Sequence, residues 1–333
     1  MLLFLATILE QLDLALEHVL ERDIHNARFG LMLTDNALEL VLHQIARDKV
    51  NYLRLFGGPR ASYTHQAALD KALGRSFSDK VNFVRVTGLM SEEMAQTIGI
   101  MHGVRNEVYH VGLQHEAILP SLSLFYFNVA CTYICSYKPP FLTWSSNQKL
   151  PARAKKYFRR DDDEFGEPDD FRQGCDKLAL DVGHKPAETI AALADHFDEA
   201  IQQQDACIDT IAEGVYPSQR TTRDDAFMDC QIRSLAFSEV GKAYARKNGS
   251  TGSTIGKRIE WIEAHYPLKY RSDPISRWRK QAVKLRAEKN ANAALRRYYK
   301  FMTETASIRE SISESAALCE AEIDREFERA RGN

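Results

Sequence analysis

Apolar residues recur at helical spacing through most of the chain, and runs of alternating β-branched residues bounded by turns are nearly absent. A sequence patterned this way buries its apolar stripes by packing helix on helix, so the expected fold class is all-α. At 333 residues the chain is long enough for two domains that each bury a core without staples.

The spacing predicts a first helix over about 2–22 and a second over about 26–56, stopped by Gly57-Gly58-Pro59. A shorter helical region over 63–86 follows. Ser91 before Glu92-Glu93 forms an N-cap and acidic first turn for a helix ending at Gly112. A helix over about 115–137, uncharged from Ala117 onward, closes a four- or five-helix bundle, and Pro139-Pro140 ends it. Residues 1–140 are therefore one domain. Residues 141–180, with Arg153, Lys155 and Lys156 and then the acidic run Asp161 to Glu164, read as a charged linker or excursion. Residues 181–333 make a helical accessory domain, with helices at 186–213, 223–246 and 259–265 and one long terminal helix from Ser276 to Arg329.

Two segments test for membrane character. Met1–Leu20 is apolar but lacks a basic start and carries Glu10, Asp13 and Glu17, as an amphipathic helix does and a signal peptide does not. Ala117–Tyr137 is uncharged and long enough to span a bilayer, yet it holds Pro120, Asn128, three serines and a threonine and reads as a buried central helix. No membrane partner is expected. The six cysteines show neither CxxC nor a Cys/His ligand pattern, which fits a reducing, cytoplasmic setting with no metal and no cofactor.

The segment that carries chemistry is Arg105-Asn106-Glu107-Val108-Tyr109-His110, at the end of its helix. On a helix Arg105 and Tyr109 share one edge, and Asn106 and His110 share the adjoining one, which His102 extends by a turn. Arg105 and His110 lie about 140° apart around the axis and border one groove. A guanidinium grips phosphate through a planar fork, and an imidazole moves protons near neutral pH. The plain alternative is a surface arginine and a histidine that complements the helix dipole.

R-N-x-x-x-H near a helix end, preceded by the helix Leu33-Thr34-Asp35-Asn36-Ala37-Leu38-Glu39-Leu40-Val41-Leu42-His43, resembles the HEPN superfamily of helical-bundle ribonucleases over roughly residues 1–140. The resemblance implies a homodimer in which two motif helices build one composite cleft, and metal-independent RNA cleavage through attack of the ribose 2′-hydroxyl, leaving a cyclic phosphate. It assigns His110 as general base or acid, Arg105 as holder of the scissile phosphate, and Asn106 as an orienting group. Asp35 or Glu39 would support the site, alongside His102 and Tyr109. In members silenced by a partner nucleotidyltransferase, a tyrosine stands two residues after the histidine; here that position is Gly112, so silencing by that route is not implied.

Between Lys269 and Lys300 eleven Lys or Arg residues face only Asp273 and Glu288, in a chain whose total formal charge is −2. Such asymmetry points to a polyanionic partner. Arg271, Arg277, Arg279 and Lys280 are the candidate phosphate contacts and Trp278 the candidate stacking surface for RNA. A solvated helix with inward aromatics is the competing reading. The functional expectation is an endoribonuclease of toxin or antiphage type, restrained by an inhibitor or antitoxin that the sequence does not identify. A non-catalytic RNA-binding HEPN protein and a helical scaffold are the alternatives.

Overall fold

The computed structural model describes residues 1–56, 63–110, 116–140, 149–158, 168–250 and 254–332. Among them it contains thirteen α-helices and no strand, so the all-α expectation holds. No helix of the described residues is long and apolar enough to cross a membrane. The chain divides into two compact units, Met1–Leu193 with Glu288–Arg296, and Ala194–Ala287 with Arg297–Asn333.

In the first unit Leu2–Leu20 (α1) and Ile24–Phe56 (α2) form an antiparallel pair turned by Arg22, whose φ is 56°. They lie close because Gly30 has no side chain: a Cβ there would stand 2.3 Å from Val19 Cγ1. Gln66–Ala72 (α3) and Phe77–Val86 (α4) follow where one helical region is expected. Ser76 separates them, its hydroxyl accepting from Asp79 N at 3.2 Å as the N-cap of α4. Ser91 caps Glu92–His110 (α5) as its sequence position predicts, accepting from Met94 N at 3.2 Å. The predicted stops at Gly57 and Gly112 lie outside the described residues. Leu119–Cys135 (α6) is the buried central helix, with Phe125, Tyr126, Phe127 and Cys131 nearly inaccessible, and it packs on α1, α2 and α5.

The unit does not end near residue 140. Pro168–Asp181 (α7) packs on α1 and α6, with Phe171, Cys175 and Leu178 in the core, so the predicted linker is largely structural where it is described. Ahead of it, a short 3₁₀ turn, Ala154–Tyr157, is fastened to Asp13 of α1. That carboxylate receives Tyr157 Oη, Lys156 Nζ at 2.6 Å and Arg153 Nη1 at 3.3 Å. The charges that suggest a solvated stretch are partners of an acid some 140 positions away in sequence. The acidic run Asp161–Glu164 lies outside the described residues.

Burial works against the charge of Asp13, but the hydrogen bonds from Lys156 and Tyr157 hold its carboxyl below its ordinary value of 3.8. A carboxylate whose pKa is depressed by folding stabilises the fold above its ordinary pKa, and that contribution disappears as pH falls through the folded value. Thermal melts on acidification should therefore show a steeper fall in midpoint for wild type than for Asp13→Asn, which starts lower at neutral pH. Parallel curves would remove Asp13 as the anchor.

Pro186–Glu213 (α8), as its periodicity predicts, starts in the first unit and continues into the second. The second unit adds Arg223–Phe237 (α9), Glu239–Lys247 (α10), Ile255–His265 (α11) and Ile275–Arg286 (α12). Ser238 breaks the predicted 223–246 helix into α9 and α10, and Gly241 permits the corner, since a Cβ would stand 1.9 Å from Leu235 O. The single terminal helix expected from Ser276 is also two. Asn290 Oδ1 accepts from the backbone N–H groups of Asn292 and Ala293 and starts Ala291–Ala330 (α13) anew.

Trp278, expected to stack on RNA bases, is only 1% exposed. It packs edge-on to Phe301 at 5.5 Å and to Tyr270 at 6.1 Å in the core of the second unit. Ile275, Trp278, Ala282 and Leu285 form the buried stripe of α12, and the indole belongs to it. Trp278→Ala should cost about 3–5 kcal/mol of unfolding free energy. Urea denaturation tests this, and a loss under 1 kcal/mol would return the indole to the surface.

Candidate active site

The site is assembled around one carboxylate. Asp35, on α2, is completely buried. Its Oδ1 accepts from the Tyr126 hydroxyl of α6 at 2.7 Å, and its Oδ2 lies 2.9 Å from His102 Nδ1 and 3.5 Å from Arg105 Nε, both on α5. A buried carboxylate requires partners of this kind, and two helices, α5 and α6, supply them. Burial first, and then the adjacent Asp35, pushes the Tyr126 phenol far above its ordinary pKa, which keeps it a donor.

His102 was expected on the edge with Asn106 and His110. It turns instead toward Asp35, three residues and less than one turn before Arg105. Its ring lies flat against Phe77 of α4, with centroids 3.8 Å apart and planes 2° from parallel. Among the described residues its Nε2 makes no hydrogen bond, and the imidazole borders a cavity of about 280 Å³ shared with Asn82, Arg85, Gln96 and Gly99. A carboxylate on Nδ1 with Nε2 open is an arrangement in which an imidazole can exchange protons.

Arg105 keeps 27% of its side-chain surface exposed. Its Nε faces Asp35 at ion-pair distance without closing a hydrogen bond, and Nη1 donates to Asn106 Oδ1 at 2.9 Å. Its guanidinium also lies 5.7 Å from the centroid of the Tyr109 ring, one turn on. Tyr109 is 61% exposed and meets His110 edge to face at 4.8 Å. His110 is exposed at the last position of α5, about 7.5 Å along the axis from Arg105 by helical rise. The end of this helix is held from α2 by Arg28, whose Nη2 donates to Val108 O at 3.1 Å.

Glu39, the second candidate support, takes no part in this group. It accepts from Lys80 Nζ of α4 at 3.0 Å, where Lys80 has a side chain only 4% exposed, and so bridges helices in the core. In the second unit, Arg279 is engaged by Asp205, which together with Asp209 and Asp273 also holds Arg223. Arg271, Arg277 and Lys280 are exposed. Of the predicted RNA contacts, Trp278 is thus a core residue and Arg279 is part of an ion-pair network.

Three residues of the site, Tyr126, Phe77 and Arg28, are missed by the sequence reading. Tyr126 is a hydroxyl in an otherwise apolar helix and needs an acceptor there. Phe77 and Arg28 carry no signal that separates them from ordinary core and surface residues. The arrangement provides a cation anchored from within and turned toward solvent, beside an exposed imidazole and a second, buttressed one. Compared with protein-family models, with curated proteins and with solved structures, the chain finds no match in any of the three.

Proposed function

We propose that this chain is a metal-independent endoribonuclease of the HEPN type that works as a homodimer, with Arg105 and His110 of two subunits lining one cleft. The observation that supports this most directly is the anchoring of Arg105 by the buried Asp35 with part of its guanidinium exposed, on the helix that ends in exposed His110. In this reading His110 takes the proton of a ribose 2′-hydroxyl. The O2′–P bond forms, the P–O5′ bond breaks, and the 5′-oxygen leaves with a proton. The products are a 2′,3′-cyclic phosphate and a 5′-hydroxyl end. Arg105 neutralises charge on the phosphate as it becomes five-coordinate, and Asn106 orients Arg105 through its side-chain oxygen. Growth arrest in a toxin or antiphage response is the biological role we propose for such cleavage, with an inhibitor restraining it.

Incubation of the purified chain with mixed RNAs in EDTA, with analysis of the new ends, tests this reading. Cyclic phosphates that form in EDTA support it, and intact RNA retires it. The engagement of Arg105 with Asp35 also favours a second reading, a non-catalytic RNA-binding or regulatory protein in which the group is architectural. Saturable RNA binding without cleavage selects that reading.

A further inference from the structure

The cavity of about 280 Å³ that His102 borders lies between α4 and α5, within the first unit. Phe77, Val81 and Arg85 fall at i, i+4 and i+8 on α4, and Ala95, Gly99 and His102 at i, i+4 and i+7 on α5, so each helix turns one face to it. Its apolar floor is Phe77, Val81 and Ala95, each at most 7% exposed. Gly99 keeps the space open, since a Cβ there would meet no atom within 4 Å.

At one end of the cavity Arg85 and Glu92 pair at 3.0 Å, so the rim offers no spare cation to hold a phosphate. The same pair sets the orientation of two amides. Arg85 Nη2 donates to Asn82 Oδ1 at 2.8 Å, and Gln96 Nε2 donates to Glu92 Oε1 at 3.0 Å. Among the described residues this leaves the Asn82 amide with N–H donors to spare and the Gln96 carbonyl as an open acceptor. At the other end neutral His102 donates Nδ1–H to Asp35 and presents Nε2 as a second open acceptor.

We propose that this cavity holds one RNA base, the base next to the phosphate that Arg105 engages. A mostly apolar site with matched charges, an open donor and two open acceptors suits a neutral heteroaromatic ring whose edge carries both donors and acceptors. The volume lies near the lower end of small-molecule sites, roughly 300–1,000 Å³, and suits one base rather than a length of strand. His102 and Arg105 both face Asp35 Oδ2 and lie about 4.5 Å apart along α5 by helical rise, so the cavity adjoins the guanidinium. A base seated here would select the nucleotide beside the cut. That placement rests on the nuclease reading, whereas base binding itself does not.

Saturation-transfer NMR titration of the full chain with adenosine, guanosine, cytidine, uridine, ribose and ribose 5-phosphate tests it. Saturable binding of at least one nucleoside is expected, with no saturable binding of either sugar. Gly99→Leu fills the cavity with a side chain that favours helix over glycine, and should abolish nucleoside binding without lowering the melting temperature. Gly256→Leu makes the same change at an open position of α11 in the second unit and should leave the affinity within about twofold. Asn82→Ala with Gln96→Ala, which removes two hydrogen-bonding groups, should weaken binding by about tenfold. Nucleoside binding lost in Gly99→Leu alone, with no RNA cleavage by wild type, keeps the base site and retires the nuclease; cleavage without nucleoside binding does the reverse. Failure of every nucleoside to bind, ribose binding as tightly as a nucleoside, survival of binding in Gly99→Leu, or equal loss in the two leucine variants overturns the proposal.

Discussion

Replacing Asp35 with alanine is expected to lower the unfolding free energy by about 3 kcal/mol, near the lower edge of what losing one member of a buried ion pair costs. The lower edge applies because His102 and Arg105 keep 21% and 27% of their side-chain surface exposed and can turn toward water. Tyr126 cannot, being fully buried, and its orphaned hydroxyl alone accounts for roughly 1–3 kcal/mol. Tyr126→Phe takes the donor from Asp35 Oδ1 but leaves His102 and Arg105 on Oδ2, and should cost less than Asp35→Ala. Asp35→Asn, which keeps an acceptor for the phenol but no charge for the guanidinium, should fall between them. Equilibrium urea unfolding of the three variants gives the order, and an Asp35→Ala loss below 1 kcal/mol would show that the carboxylate does not organise the site.

Under the proposed nuclease reading, His110→Ala should slow RNA cleavage by about 10²–10⁴-fold, the usual contribution of a positioned acid or base. Arg105→Ala should slow it by about 10²–10³-fold, as the removal of one charge-stabilising donor does. The two variants differ in what else they disturb. His110 is exposed at the end of α5, so its removal should shift stability by no more than about 0.5 kcal/mol. Arg105→Ala leaves Asp35 with His102 and Tyr126 and should carry a measurable stability loss. Single-turnover cleavage beside thermal melts separates the effects. Full activity in folded His110→Ala would move the proton-transfer role away from His110, and His102, with its open Nε2, is the residue to examine next.

Much of the fold can be read from the sequence because most of these helices depend on local patterns. The apolar period places α8 from near Pro186 to about Glu213, where it lies, and Ser91 marks the start of α5 through chemistry that needs nothing beyond the next three residues. Where the reading departs from the structure, the deciding partner is distant or the signal is ambiguous. Asn290 sits between Lys289 and Ala291 in a stretch that could continue as helix, and only the use of its side chain as a cap divides α12 from α13. The basic residues 153–156 look solvated until Asp13 is brought beside them.

The error over Trp278 is of another kind. Its i, i+4 and i+7 spacing to Ala282 and Leu285 marks a core face, and the neighbouring Arg277 and Arg279 draw attention from it. In the site, the line of Arg105, Asn106, Tyr109 and His110 along α5 follows from helical geometry alone. The choice of Asp35 over Glu39, the turn of His102 inward and the part played by Tyr126 depend on how α2, α4, α5 and α6 pack, and sequence spacing within one helix does not encode that.

The carboxylate inside α2 also affects how Arg105 meets a ligand. An arginine side chain carries about 2 kcal/mol of rotamer entropy that a binding event ordinarily has to remove. Here Asp35, Asn106 and the Tyr109 ring restrict those rotamers when the chain folds. A phosphate bound as the nuclease reading proposes would meet a preorganised fork, and the ordering cost would fall on the stability of the helical bundle rather than on affinity.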